Sequence, residues 1–387
     1  MSEDSYNKNK DSASLGVPLY AKNLGMVTPL NQRIKKAEVN QKSNLWLWIG
    51  VVAGFCYGFG NLCVVKISHF GFYTRELILF GGLFQSIAFL IGRFIYIKSQ
   101  TGHFWSWENS PFRDPKTDTF RWKAVFAVFL DAFIKVTAGW MVIISFKYAL
   151  YAGINQGAIT TIFALSAIYV AIISWFVFGE VLNRFHILGM ILLVGCTILI
   201  VFSKSSSSGK VLKVFDQEVE SVSALVPVGF ALITTVLYSF RTIYVKLFVK
   251  ELNFNSFDYM IYSYLLSGGI FVPFLLMDMY ENGFIPEVVF LGTLSGVLNG
   301  FGAFFLFYAT SVGIAGPAYS LKNIEPVTQA VFGFFFFGQE LNYLQVIAIT
   351  MGVLGSLVLT LGPYIFRDKK EVEEEKKAIE KSLAKKV

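Results

Sequence analysis

The sequence predicts an all-α polytopic membrane protein, with ten transmembrane helices arranged as two inverted five-helix repeats. Three observations predict it. Ten segments stay predominantly apolar over about 20 residues, the length that crosses about 30 Å of hydrocarbon. Of the 387 residues, 55% are hydrophobic and only 15% charged, where a soluble domain carries about 25% charged residues. Finally, the order of features in the first half recurs in the second. The 40 Phe against 7 Trp fit the same class: Phe rests against lipid tails at no cost, whereas Trp and Tyr favour the headgroup level.

Residues 1–44 form a polar N-terminal tail of mixed charge, without the apolar core of a cleavable signal peptide. The first spanning helix is therefore expected to act as an uncleaved signal anchor. The first repeat, 45–203, places helices at 46–65, 74–97, 124–147, 153–177 and 185–203. Short connections at 148–152 and 178–184 make antiparallel hairpins, while the long polar stretch 98–122, with Pro111 and Pro115, reads as a surface loop. Residues 204–222 open on a run of serines and read as a flexible linker. The second repeat, 223–366, places helices at 223–247, 257–278, 287–310, 316–338 and 343–366. Residues 367–387 alternate in charge and read as a solvated helical tail.

The net charge of +7 sits mainly in tails and loops, so it orients a membrane protein and does not indicate nucleic acid. Arg33, Lys35, Lys36 and Lys42, then Lys98, Arg113, Lys116 and Arg121, then Arg367, Lys369 and Lys370 all fall on one side when ten helices are threaded. Both termini are expected on the cytoplasmic side, or the matrix or stromal side of an organelle. Cys56, Cys63 and Cys196 lie in apolar runs and are odd in number, which implies no disulfide framework. His69, His103 and His186 lack metal-ligand spacing, and no metal or cofactor is expected.

The repetition runs at constant offset. Tyr148-Ala149 matches Tyr308-Ala309, Gly153 matches Gly313, Ala158 matches Ala318, Phe176 matches Phe336, and Glu180 matches Glu340. Five crossings per half is an odd number, so the second half enters from the opposite face. Tyr148-Ala149-Leu150, Gly153 to Ala158 and Phe178-Gly179-Glu180, repeated as Tyr308-Ala309, Gly316-Pro317-Ala318, Glu325-Pro326-Val327 and Gly338-Gln339-Glu340, resemble the drug/metabolite transporter superfamily, EamA type. The resemblance covers most of residues 46 to 364 and implies ten helices, cytoplasmic termini and a central cavity through which a small organic solute passes. One position departs from it: Ser166 stands where the second half has Pro326, which leaves the bend of the fourth helix open.

Polar residues within hydrocarbon carry the functional signal, because a charge at the bilayer centre costs about 2.5–3.5 kcal/mol on insertion scales. Lys322 and Glu325 in the ninth helix are three apart and share a face, just before Pro326 removes a backbone donor. They suit an anionic or zwitterionic solute group at Lys322 with proton acceptance at Glu325, or a self-neutralising structural pair. Asp131 and Lys135 in the third helix are spaced for an i,i+4 pair. Arg241 in the sixth helix has no acid within reach on its own helix, so it must meet another helix or line water. Asn155, Gln156, Thr160, Tyr319, Ser320, Gln329, Asn299 and Tyr57 are neutral candidates for a cavity wall, with interhelical hydrogen bonding as the alternative. Ridges of Gly50, Gly54 and Gly58 and of Gly292, Gly296 and Gly300 let helix backbones approach.

No phosphate-binding Gly loop, His-centred nucleophile or catalytic carboxylate pair is found, so no enzyme is expected. The leading expectation is a secondary transporter working by alternating access, in contact with membrane lipids and a small solute. The alternative is a transport-inactive structural subunit of a larger membrane assembly, with 98–122 as its docking loop, whereas a homodimer is a partner state that would weaken that alternative.

Overall fold

The computed structural model describes residues 45–67, 74–105, 107, 110–114, 117–178, 183–203, 211–214, 217–251, 256–312 and 321–365. Both expected tails, and Tyr319 and Ser320, lie outside the described residues. Single helices make crossings one to three: α1 (Leu45–Ile67), α2 (Thr74–Thr101) and α3 (Trp122–Tyr151). The fourth crossing is two helices, α4 (Gln156–Phe163) and α5 (Ser166–Phe178), and the fifth is α6 (Arg184–Phe202). The second half continues with α7 (Leu225–Glu251), α8 (Ser256–Asn282) and α9 (Pro286–Val312). Its ninth crossing is a 3-10 turn, Lys322–Ile324, running into α10 (Glu325–Phe337), and its tenth is α11 (Tyr343–Ile365). Among the described residues, nine stretches are long and apolar enough to cross a membrane.

The packing repeats the order seen in the sequence. Exchanging each helix for its counterpart in the other half preserves the main packings. α1 lies along α9 as α3 lies along α7, and α1 touches α10 as α4 and α5 touch α7. α2 pairs with its own counterpart α8, α6 with α11, and the fourth crossing meets the ninth through α4 and α10. Self-paired counterparts are what a two-fold relation between halves produces, and five crossings per half make that relation inverted.

Two expectations need correction. Residues 204–222 are not uniformly a flexible linker: Val211–Val214 (β1) and Gln217–Glu220 (β2) pair antiparallel as a hairpin. The available signal for strands was the β-branched content, Val211, Val214 and Val219, in two short runs joined by Phe215-Asp216. The fourth helix, expected as one unit over 153–177, breaks at Ala164 and Leu165. There Ala164 N donates to Thr161 O at 3.1 Å, and Leu165 N to Ile162 O at 2.9 Å, the tighter i→i+3 pattern. The ninth crossing tightens at the matching place, where Pro326 has no N–H and Glu325 N donates to the Lys322 carbonyl instead. Ser166 therefore substitutes for the proline without abolishing the bend. Ser239 Oγ on α7 donates to the Ser166 carbonyl at 3.1 Å and supports the break from outside.

Which face of a helix turns inward follows from side-chain type. On α3, Phe126, Phe129 and Phe133 are exposed, while Ala127, Val128, Asp131 and Ala138 are buried. A three-to-four spacing of aromatics thus claims the lipid side and leaves Asp131 no other direction than the bundle. The 98–122 region is also more ordered than a polar loop requires. Arg113 pairs with Phe120 in a β-bridge, and Trp107 stacks on Phe120 at 6.3 Å between ring centres. Trp105, Trp107, Phe120 and Trp122 are exposed together at this end, the composition of a headgroup belt.

Asp118 organises that loop. It accepts from Arg113 Nε at 2.5 Å and from Trp107 Nε1 at 2.9 Å, with φ at 56°. These donors, Arg113 first, hold its carboxyl below the ordinary carboxylate range. A lowered folded-state value means the contact stabilises the loop above the unfolded pKa of about 3.9 and is lost as pH falls through the folded value. Asp118→Asn mimics the protonated form at neutral pH and tolerates the left-handed backbone equally well. We expect a several-fold faster tryptic cleavage after Arg113 in that variant. An unchanged rate would remove Asp118 from this role.

Candidate functional site

Two groups of ionised side chains meet at mid-helix, and their cross-helix bonds join the first half to the second. In the first, Asp131 on α3 is fully buried and accepts from Arg241 on α7, at 2.8 Å from Nε and 3.3 Å from Nη2. Ser263 on α8 donates a short hydrogen bond to the same carboxylate. The spacing-based pairing of Asp131 with Lys135 is thus corrected. A guanidinium fork satisfies two carboxylate oxygens at once, which one ammonium on the same helix cannot do. Lys135 turns instead to α8, where Nζ lies over the Tyr264 ring and donates to Ser267 Oγ at 3.2 Å.

In the second group, Lys322 Nζ lies 3.6 Å from Glu325 Oε2 and 4.9 Å from the centre of the Tyr57 ring on α1. Asn61, also on α1, donates to Glu325 Oε1 at 2.7 Å. Gly54 and Gly58 make this approach feasible. A Cβ at Gly54 would sit 2.9 Å from the Lys322 carbonyl, and one at Gly58 would sit 2.7 Å from Thr328 Cβ. Tyr264 and Tyr57 supply the ring faces on which Lys135 and Lys322 rest. Arg241 and Lys322 keep about a quarter of their side-chain surface accessible, while their acids keep 0% and 8%. Each cation thus keeps a partly accessible edge, and each acid is enclosed.

The neutral candidates divide differently. Asn155 caps α4 by accepting from Gly157 N at 2.8 Å, and its amide donates to the Gln339 carbonyl at 3.4 Å. Gln156 accepts from Gln339 Nε2 at 2.8 Å. Asn342 donates to the Ser203 carbonyl, and Val222 N to Tyr151 O at 3.0 Å. These bonds fasten the end of the bundle that carries the 151–156 and 337–343 turns. At the other end Arg93 on α2 meets Asp258 on α8 at 2.6 Å, and Tyr259 Oη donates to the Ala127 carbonyl at 2.9 Å. Thr160 donates to Gln329 between α4 and α10. The amide nitrogens of Gln156 and Gln329 are buried with no partner among the described residues. Asn299 donates to Ser295 O at 3.0 Å and abuts Gly60, so it belongs to the α1–α9 seam and not to the charged interior.

Sequence reasoning missed Asn61, Ser263, Tyr264, Ser267 and the clasping side chain of Gln339. Ser263 and Ser267 are four apart on one otherwise apolar helix, and Asn61 follows the glycine ridge of α1. Both patterns were readable as polar faces, but not which helix lay opposite.

The comparisons with known proteins agree with this architecture. Residues 225–361, from the start of α7 into α11, match the EamA-like transporter family. That segment, most of the second half, is similar to EamA-like proteins. EamA-like proteins are transporters, and the match places the Arg241 and Lys322–Glu325 positions inside an EamA-like unit. A solved crystal structure superposes with a TM-score of 0.52 at 14% identity, over 84% of this chain and 99% of its own length. That likeness shows the shared fold and extends it over the first half. No curated protein matches the chain.

Proposed function

We propose that this EamA-like membrane protein is a secondary carrier, moving a small organic solute by alternating access through the space between its two halves. One observation supports the reading: ionised side chains of both halves lie inside the bundle, and three of them bond across the seam, Asp131 to Arg241, Lys135 to Ser267 and Glu325 to Asn61, with Lys322 beside Glu325. Placing charge at that depth is costly, and a helix bundle that needed only to be held together would do so more cheaply with small and neutral residues. The broken fourth and ninth crossings give the seam two matched bends about which the halves rock. Both termini face the cytoplasm in this reading, and the solute contacts the accessible edges of Arg241 and Lys322.

Glu325 is the coupling group. It sits behind Lys322 with one oxygen held by Asn61, so it exchanges a proton when Lys322 turns to the solute. Purified protein in liposomes, supplied with a panel of small organic solutes, tests the proposal. Wild type is expected to accumulate at least one of them when a proton gradient is imposed. Glu325→Gln is expected to retain solute exchange and to lose gradient-driven accumulation by about tenfold or more, the factor that 1.4 kcal/mol of coupling represents. If wild-type vesicles take up no solute above protein-free vesicles, the carrier reading is withdrawn.

A further inference from the structure

The charges inside the bundle do not balance. Arg241 is matched by Asp131 and Lys322 by Glu325, each within 4 Å. Lys135 has no carboxylate within that distance among the described residues; its contacts are the Tyr264 ring and the Ser267 hydroxyl. The other buried acid on these helices, Asp258, is held by Arg93 toward one end. Lys135 is the fourteenth residue of α3, about 20 Å along the axis from the nearer end at 1.5 Å per residue, too deep for its ammonium to reach water at the surface. An aromatic face and a hydroxyl lower the cost of a buried ammonium, but neither supplies opposite charge. The interior described here therefore holds one positive charge in excess.

We propose that Lys135, with Ser267 and Tyr264, is an oxyanion-binding subsite, and that the transported solute carries a carboxylate or phosphate group which neutralises Lys135 on binding. This deepens the carrier reading and rests on it for the word "transported"; the binding site itself does not. It also moves the anion from Lys322, where spacing alone put it, to a cation with no internal acid. An ammonium suits the role. Its three donors are not committed to a fork, and Ser267 directs one of them while the remaining two stay available to oxygen. Arg241, already spanned by both oxygens of Asp131, lacks that freedom.

Two measurements on full-length protein in nanodiscs test the subsite. The first is the melting temperature of Lys135→Met without ligand. An uncompensated cation destabilises the empty protein, so its replacement by an uncharged chain of similar length is expected to raise the melting temperature by several degrees. A structural role for Lys135 requires the opposite, and a lowered melting temperature overturns the proposal. The second is the thermal shift of wild type with acetate, lactate, inorganic phosphate and glycerol 3-phosphate, against acetamide and glycerol, at fixed ionic strength. At least one oxyanion is expected to stabilise wild type while the neutral compounds do not, and Lys135→Met is expected to weaken that binding about tenfold or more. The carboxylate and phosphate arms separate the two sources of the oxyanion. No shift with any of the four, equal shifts with neutral compounds, or a shift that survives Lys135→Met each overturn the subsite. Oxyanion binding without flux in liposomes would sink the carrier reading and keep the subsite. Flux restricted to a neutral or cationic solute would keep the carrier and sink the subsite.

Discussion

Asp131→Ala is expected to cost about 3–5 kcal/mol of stability, because it leaves the Arg241 guanidinium inside the bundle without its anion. The loss has a second component, since Ser263 also gives up its acceptor. Arg241→Met is expected to cost less. The carboxylate left behind then has Lys135 four residues along the same helix, at the spacing where an ion pair forms readily. Removing both partners together, as Asp131→Ala with Arg241→Met, should recover a large part of the loss, since neither member of the pair is left behind without the other. Thermal unfolding of the three variants in nanodiscs decides the matter. A double variant no more stable than Asp131→Ala would show that the pair is not the source of the effect.

Gly157→Val is expected to separate α4 from α10 and to cost about 1–3 kcal/mol or more. A Cβ at Gly157 would lie 2.5 Å from the Ala330 nitrogen and 2.6 Å from the Pro326 carbonyl. Both are backbone atoms with no rotamer to offer, so the strain must be taken up by moving a helix. The consequence reaches the charged interior, because Pro326 follows Glu325 directly and its displacement pulls Glu325 away from Asn61. Lower melting temperature, together with faster tryptic digestion of the membrane-embedded protein, is the expected result. Gly139→Val serves as control, since a Cβ there meets nothing within 4 Å. Equal behaviour of the two variants would refute the close-contact argument.

The helices were legible in the sequence because the bilayer imposes a length and a composition that few other constraints can mimic. The third helix, expected over 124–147, runs Trp122–Tyr151, and the differences elsewhere are of similar kind. The halving of the chain was legible through Tyr148-Ala149 and Tyr308-Ala309, which stand in the last turns of α3 and α9. What spacing could not supply was the identity of the facing helix. Asp131 and Lys135 satisfy the rule for a helical ion pair, yet Arg241, more than a hundred residues away, offers better geometry. The bend of the fourth crossing was hidden for a related reason. Its carbonyl is relieved by Ser239 from a neighbouring helix, not by a local proline.

The two ends of the bundle are fastened by unlike chemistry, and this sets what each responds to. Amides of Asn155, Gln156 and Gln339 hold one end; Arg93 and Asp258 hold the other. Water replaces an amide partner almost in kind, so parting the first end costs only about 0.5–1.5 kcal/mol per bond whatever electrolyte is present. Parting the second exposes two full charges, whose hydration and screening then depend on dissolved salt. Ionic strength is therefore a handle on one end of the bundle and leaves the other indifferent.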